Sequence, residues 1–127
     1  MRYLIDTHIF ISLINNEEDF NIRYIRAVEN KENKIFISVA SIWEIIVKIN
    51  IGKLIVTRSI QEMYDVITSF GITILNFQKS DFDKYLTLPL IHKDPFDRMI
   101  ISQALANDLT LITDDQHIKN YPSLKLF

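Results

Sequence analysis

The chain has no cysteine, only two glycines and three prolines, and no apolar run near the ~18 residues of a membrane span. Without cysteine there is no disulfide framework, no thiol catalysis and no zinc site built on thiolates. The three histidines lie far apart in sequence, which argues against an all-histidine metal site. Positive charge is not in excess either: 14 Lys+Arg face 16 Asp+Glu, for a net charge of −2. A protein that coats DNA would be clearly basic. An enzyme that meets a polyanion through metal ions is not excluded by this balance. The first apolar run, Tyr3-Leu4-Ile5, meets Asp6 too early for a signal-peptide core. A cytoplasmic protein with no membrane segment is the expectation. G-x-x-x-x-G-K-[ST], G-x-G-x-x-G and G-x-S-x-G are all missing, so nucleotide-loop and serine-hydrolase readings lack their motifs.

What is present is apolar and regular. Hydrophobic residues make up 48% of 127 residues, and the mean hydropathy of +0.10 excludes disorder. A chain of this length buries roughly two-thirds of its unfolded surface, enough for one domain over residues 1–127. Short apolar runs at Tyr3–Ile5, Ile35–Ile37, Ile72–Leu75 and Leu109–Ile112 read as strands. Leu124–Leu126 is a further candidate. Between them lie helical patterns. The first carries Ile9, Phe10, Leu13 and Ile14, with Thr7 as a plausible cap. A polar break at Asn15–Asp19 precedes a helix with Ile22, Ile25, Ala27 and Val28. A helix over residues 40–50 groups Ile42, Ile45, Ile46 and Ile49, with Ile51-Gly52-Lys53 as its stop. Ser59 opens another, through Met63, Tyr64, Val66 and Ile67 to Gly71. A short helix covers Ser80–Leu86. Asp94-Pro95 starts the last, with Asp as N-cap and Pro at the first helical position, and it runs to about Asn107. Strands alternating with helices predict an α/β fold with a mainly parallel sheet flanked by helices.

In such a sheet the strand C-termini and helix N-termini share one edge, where ligands bind. Asp6 and Asp115 follow strands, and Glu44 and Asp97 lie in the first turns of helices. Four carboxylates from four segments are thus expected on one rim. Packed together they repel and raise one another's pKa, so a cation is needed. Oxygen ligands suit Mg²⁺ or Mn²⁺, the usual equipment of phosphodiester cleavage.

Each acid also has a plain structural reading. Asp6 can be a turn or capping residue. Glu44 closes Ser41-Ile42-Trp43-Glu44, which fits a capping box, although it is the only charge between Lys34 and Lys48. Asp94 is an N-cap, and Asp97 three residues on favours the helix dipole. Asp114 and Asp115 can be turn formers. Taken singly these readings win or tie; the coincidence of four on one rim favours a site. His8 and His92 lie near the rim but read first as surface residues, and His117 has no partner in view. Trp43 reads as core or interface, and Tyr64 and Phe70 as helix packing. Lys48, Lys53 and Arg58 read as solvated, whereas Lys93 and Arg98 bracket Asp94 and Asp97 and could position a phosphate.

Four segments also carry a resemblance. Leu4-Ile5-Asp6-Thr7-His8, the stretch Ile37–Ile45 containing Ser-Ile-Trp-Glu-Ile, His92-Lys93-Asp94-Pro95-Phe96-Asp97-Arg98 through Gln103-Ala104, and Leu109–Asp115 together resemble the PIN domain, in order and at its spacing. A PIN domain alone at this length is similar to the toxin of a bacterial VapBC-type toxin–antitoxin pair. The resemblance implies an Mg²⁺- or Mn²⁺-dependent endoribonuclease, commonly a homodimer. It also implies a cognate antitoxin that covers the acidic groove. Matched residue by residue, the family's acids fall on Asp6, Glu44, Asp97 and Asp115 as metal ligands and catalytic groups. Asp94, Asp114, Thr7, Thr113 and Arg98 take secondary places. A different metal-dependent phosphoryl enzyme, such as a phosphatase or receiver domain, is the alternative. A receiver is disfavoured because no Lys directly follows a strand near the rim. A non-catalytic module with acids as caps is the other alternative. Self-association is expected through residues 22–28 and 60–67, which carry more apolar residues than one sheet face needs.

Overall fold

A computed structural model describes residues 1–17, 20–54 and 59–127. Glu18, Asp19 and Arg58, named above, lie outside them. The order is β1 (Arg2–Ile5), α1 (Thr7–Asn15), α2 (Ile22–Glu29), β2 (Lys34–Ser38), α3 (Val39–Asn50), α4 (Ile60–Ser69), β3 (Thr73–Leu75), α5 (Lys79–Thr87), α6 (Pro95–Ala106), β4 (Thr110–Ile112) and α7 (Gln116–Lys119). The strands form one parallel sheet in the order β3-β2-β1-β4. Ile5 pairs with Ile37 on one side and Ile112 on the other.

Alternation along each strand sorts its residues onto two cores. Tyr3, Ile5, Ile35, Ile37 and Ile112 face a layer built by α1 to α4. Leu4 and Leu111 face the other side, where Ile100, Ile101 and Ala104 of α6 pack. Both faces are therefore covered, which is why the strands read as continuous apolar runs. The chain winds outward from β1 to β2 and β3, then returns to lay β4 on the opposite side of β1. The reversal leaves a crevice beyond the C-terminal ends of β1 and β4.

Several local expectations change. Asp6, not Thr7, caps α1: its Oδ1 accepts from the Ile9 N–H at 2.8 Å, and Thr7 is the first helical residue. Helix α3 starts at Val39 under the Ser38 cap, so Ser41-Ile42-Trp43-Glu44 is not a capping box. Glu44 lies further in, where a cap has no orphan N–H to satisfy. Ile46 is exposed, because it points away from the side that carries Ile42 and Ile45. Trp43 is not core; it is 57% exposed and packs edge-on against Phe96 at 5.2 Å. Residues 124–126 make only one isolated parallel bridge, Leu126 to Leu111, in place of a full strand. Helix α7, four residues long, had no hydrophobic period to announce it. Of the apolar residues of α2 and α4, Tyr24, Ala27, Val28, Met63, Val66 and Ile67 are buried in the chain's own core, whereas Ile22, Ile60 and Tyr64 stay exposed. The capping box at Ser59–Glu62, the Asp94 cap with Pro95 behind it, and the positive φ of Gly52 past α3 follow the sequence reading. No helix among the described residues is long and apolar enough to cross a membrane.

Candidate metal centre

The crevice is built by backbone ends. β1 stops at Ile5 and hands Asp6 to the N-terminus of α1, with the Asp6 N–H still donating to the Ile112 carbonyl at 3.1 Å. Asp6 is 2% exposed. One carboxylate oxygen is taken by the α1 cap and the other accepts from the Thr113 hydroxyl. Burial pushes the Asp6 carboxyl up from the ordinary range; these two hydrogen bonds and His8 oppose the shift, while Asp114 adds to it. The Thr113 oxygen in turn accepts from the Asp115 N–H at 3.0 Å. Asp115 caps α7 with Oδ1, which accepts from the His117 N–H at 2.8 Å, and turns Oδ2 toward His92.

The facing wall is the start of α6. Asp94 caps it by accepting the Asp97 N–H at 3.0 Å. Asp97 stands one turn in, above the buried stripe of Ile100, Ile101 and Ala104. Its carboxyl is pushed up to about 6, first by burial and then by the negative charges of Asp94 and Glu44, with Asp115 adding less; His92 pulls the other way. Glu44 is 3% exposed. Oε1 accepts from the Thr7 hydroxyl at 2.8 Å, and Oε2 pairs with Lys48 Nζ at 2.6 Å. The hydrogen bond to Glu44 is also the main reason the Lys48 ammonium is pushed up, and Asp94 and Asp97 reinforce it.

The structure thus brings the four expected acids to one edge, but not as equals. Asp97 and Asp115 offer oxygens that, with Nε2 of His92, all lie within 4.8 Å of one another. Asp6 joins through Thr113. Glu44 joins through its field on Asp97 and already holds Lys48. Thr7 and Thr113 are hydroxyl props for Glu44 and Asp6. Asp114 is exposed and accepts from the Tyr24 hydroxyl, which burial and this bond push up to about 12.

Two expectations fail here. Arg98 does not face a phosphate. It is 6% exposed, and its guanidinium donates to the carbonyls of Pro89 at 3.0 Å and His92 at 3.3 Å and to the Tyr121 hydroxyl at 3.3 Å. Its charge sits over the Tyr85 ring at 4.9 Å. It fixes the 88–92 segment from inside. His92 is not a bare surface residue: Nε2 lies 2.9 Å from Asp97 Oδ2 and 3.6 Å from Asp115 Oδ2. Nor is His117 without a partner, since its ring meets that of His92 edge-on at 5.7 Å. The oxygen-only rim therefore has an imidazole in it. The signal in the sequence was the place of His92, two residues before an N-cap whose helix carries Asp97.

A divalent cation fits this donor set. The carboxylates of Asp97 and Asp115 come from opposite walls, hard oxygen donors predominate, and the carboxyl of Asp97 is pushed up by burial and then by the acids around it.

The class of molecule is then an α/β protein with an acidic crevice at its topological switch point. The sequence matches the PIN domain family over residues 3–124, and the chain belongs to that family. Among solved structures the fold is similar to VapBC2 of Rickettsia felis bound to a promoter DNA fragment, with a TM-score of 0.75 and 23% identity over 100% of this chain and 98% of that one. It is also similar to DNA-bound VapBC of Salmonella typhimurium, with a TM-score of 0.68 and 16% identity over 100% and 97% of the two chains. For FitAcB of Neisseria gonorrhoeae the values are 0.65 and 17% over 98% and 96%. No curated sequence matches significantly.

Proposed function

We propose that the protein is an Mg²⁺- or Mn²⁺-dependent endoribonuclease acting as the toxin of a VapBC-type toxin–antitoxin pair. The observation that carries the reading is the meeting of Asp97, Asp115 and His92, whose ligand atoms lie within 4.8 Å of one another at the rim that Asp6 and Glu44 also reach; burial and the neighbouring acids push the Asp97 carboxyl up. An acid so placed is costly to a metal-free fold and useful to a metal-loaded one. Asp97 and Asp115 would hold the ion, with Asp6 behind them. What such an ion supplies is neutralisation of the phosphoryl oxygens and a more acidic water. Glu44, held between Thr7 and Lys48, is placed to orient that water, and Lys48 to meet a phosphate oxygen.

An apolar groove of about 510 Å³ adjoins the rim, lined by Trp43, Phe77, Phe82, Leu86, Phe96 and Met99. Pro95 and Phe96 of the groove and the acids Asp94 and Asp97 share the first turn of α6. This supports an antitoxin segment that anchors apolar side chains and sets a basic one among the carboxylates. The same patch, and the exposed Ile22, Ile60 and Tyr64 of α2 and α4, are apolar surface available to a homodimer. The reading places the protein in the cytoplasm, with RNA as substrate.

The test is RNA cleavage by purified protein before and after exhaustive chelation. Activity is expected to vanish in EDTA and return with Mn²⁺ or Mg²⁺. Cleavage that persists in EDTA would overturn the reading.

A further inference from the structure

By distance alone His92 would count as a third metal ligand. Ligand atoms about 2.1 Å from one ion stand roughly 3–4 Å apart, and Nε2 lies 2.9 Å and 3.6 Å from oxygens of Asp97 and Asp115. Its other nitrogen decides differently. The Asp94 backbone N–H points at His92 Nδ1, at 3.2 Å. A nitrogen that accepts a hydrogen bond carries no proton. The ring nitrogen left to carry the proton is Nε2, facing the carboxylates. A histidine that binds metal through Nε2 does the opposite, donating Nδ1–H to an acceptor behind it.

The ring is also gripped. The His92 N–H donates to the Tyr121 hydroxyl at 2.9 Å, its carbonyl accepts from buried Arg98, and His117 packs on its edge. Rotating Nδ1 toward an acceptor would break the turn that joins His92 to the cap of α6.

We infer that His92 is a positioning residue: the Asp94 N–H fixes its tautomer, and its Nε2–H holds the Asp97 carboxylate in the orientation a metal requires, without itself entering the ligand set. The inference rests on the metal-dependent reading above. It gives the H-x-D spacing before Pro95 a physical purpose. One backbone N–H of the helix cap sets the proton on the imidazole, and the imidazole sets the acid one turn in.

Two measurements test it. The first is long-range ¹H–¹⁵N correlation on histidine-labelled protein, metal-free and then with Mg²⁺, with signals assigned by single His→Gln variants. The expected result is a proton on Nε2 and none on Nδ1 of His92 in both states. A bare Nε2 with Mg²⁺ bound would make His92 a ligand and overturn the inference. The second compares His92→Gln, whose amide places an N–H near the Nε2 position, with His92→Asn, whose shorter amide does not reach it. Mn²⁺ affinity is read by calorimetry, with melting temperature as the folding control. His92→Asn should lose about 10- to 100-fold in affinity and His92→Gln should recover most of it. Equal losses in two folded variants would overturn the positioning role. If the wild-type protein binds neither ion, the metal reading itself fails. The metal-free spectrum still decides the tautomer.

Discussion

Two acids stand at opposite ends of α6, one fully buried and one half-buried, in opposite surroundings. Asp81 of α5 is 0% exposed, and its carboxylate is met by donors. It accepts from the Gln78 N–H at 2.9 Å, from Asn107 Nδ2 at 3.1 Å and from Gln103 Nε2 at 3.4 Å. Gln103 completes the knot by accepting the Ser38 hydroxyl and donating to the Asn76 carbonyl at 3.3 Å. Asp97, at the other end of α6, has Asp94, Glu44 and Asp115 around it and a raised carboxyl. Burial alone does not make a functional acid. The surrounding charges decide: donors close a structural joint, whereas further acids leave a charge deficit that an external cation can fill.

Removing Asp97 is the sharpest way to probe this contrast. Asp97→Asn should cut RNA cleavage by orders of magnitude and abolish the melting-temperature rise caused by Mn²⁺. Asp94→Asn should retain measurable activity, since Asn is itself a good cap and the loss of stability stays below about 1 kcal/mol. A dead Asp94→Asn beside a normal Asp97→Asn would place the metal on the wrong residue.

The mirror experiment at the other end of the helix is Asp81→Ala. Three donors lose their acceptor there, so unfolding by urea should show a loss of about 1–3 kcal/mol. The Mn²⁺-induced shift should survive. If it disappears while the protein stays folded, the two ends of α6 are coupled and the contrast fails.

The smallest effect is in pH. Between the ordinary carboxyl range and about 6, the folded chain holds a proton on Asp97 that the unfolded chain has released. Stability from this group is therefore present at low pH and lost as pH rises through about 6. In EDTA, Asp97→Asn should gain stability relative to the wild type between pH 4.5 and pH 7.5, as read from melting temperatures. A constant difference across that range would remove the charge deficit from the argument.

Much of this was readable in the sequence, for a physical reason. The sheet is parallel and covered on both faces, so each strand announces itself as an unbroken apolar run. The Asp94-Pro95 start of α6 is set by local chemistry. The four acids could be placed on one edge because topology alone puts strand ends and helix starts there. What escaped depended on side-chain pairings that no helical or strand period announces. Arg98 looked like a phosphate contact because nothing local tells that four acceptors from 88–92 and Tyr121 close around it. The partners of His92 lie at 97 and 115, and its tautomer depends on one backbone N–H. Most of the apolar surface of α2 and α4 is used in the chain's own core, and only Ile22, Ile60 and Tyr64 are left outside it. Gln103 carried no visible role until Ser38 and Asp81 were seen on either side of it.

The Asp6–Thr113 hydrogen bond spans 107 positions of the chain. The crevice is thus a closure between the beginning of the sheet and its last strand, made across most of the chain. Contacts of that span form slowly, because the entropy of bringing their ends together is lost before they contribute. A chain lengthened only as far as α6 has Asp6 without Thr113 and Asp97 without Asp115. The acidic crevice is complete only with β4 beside β1.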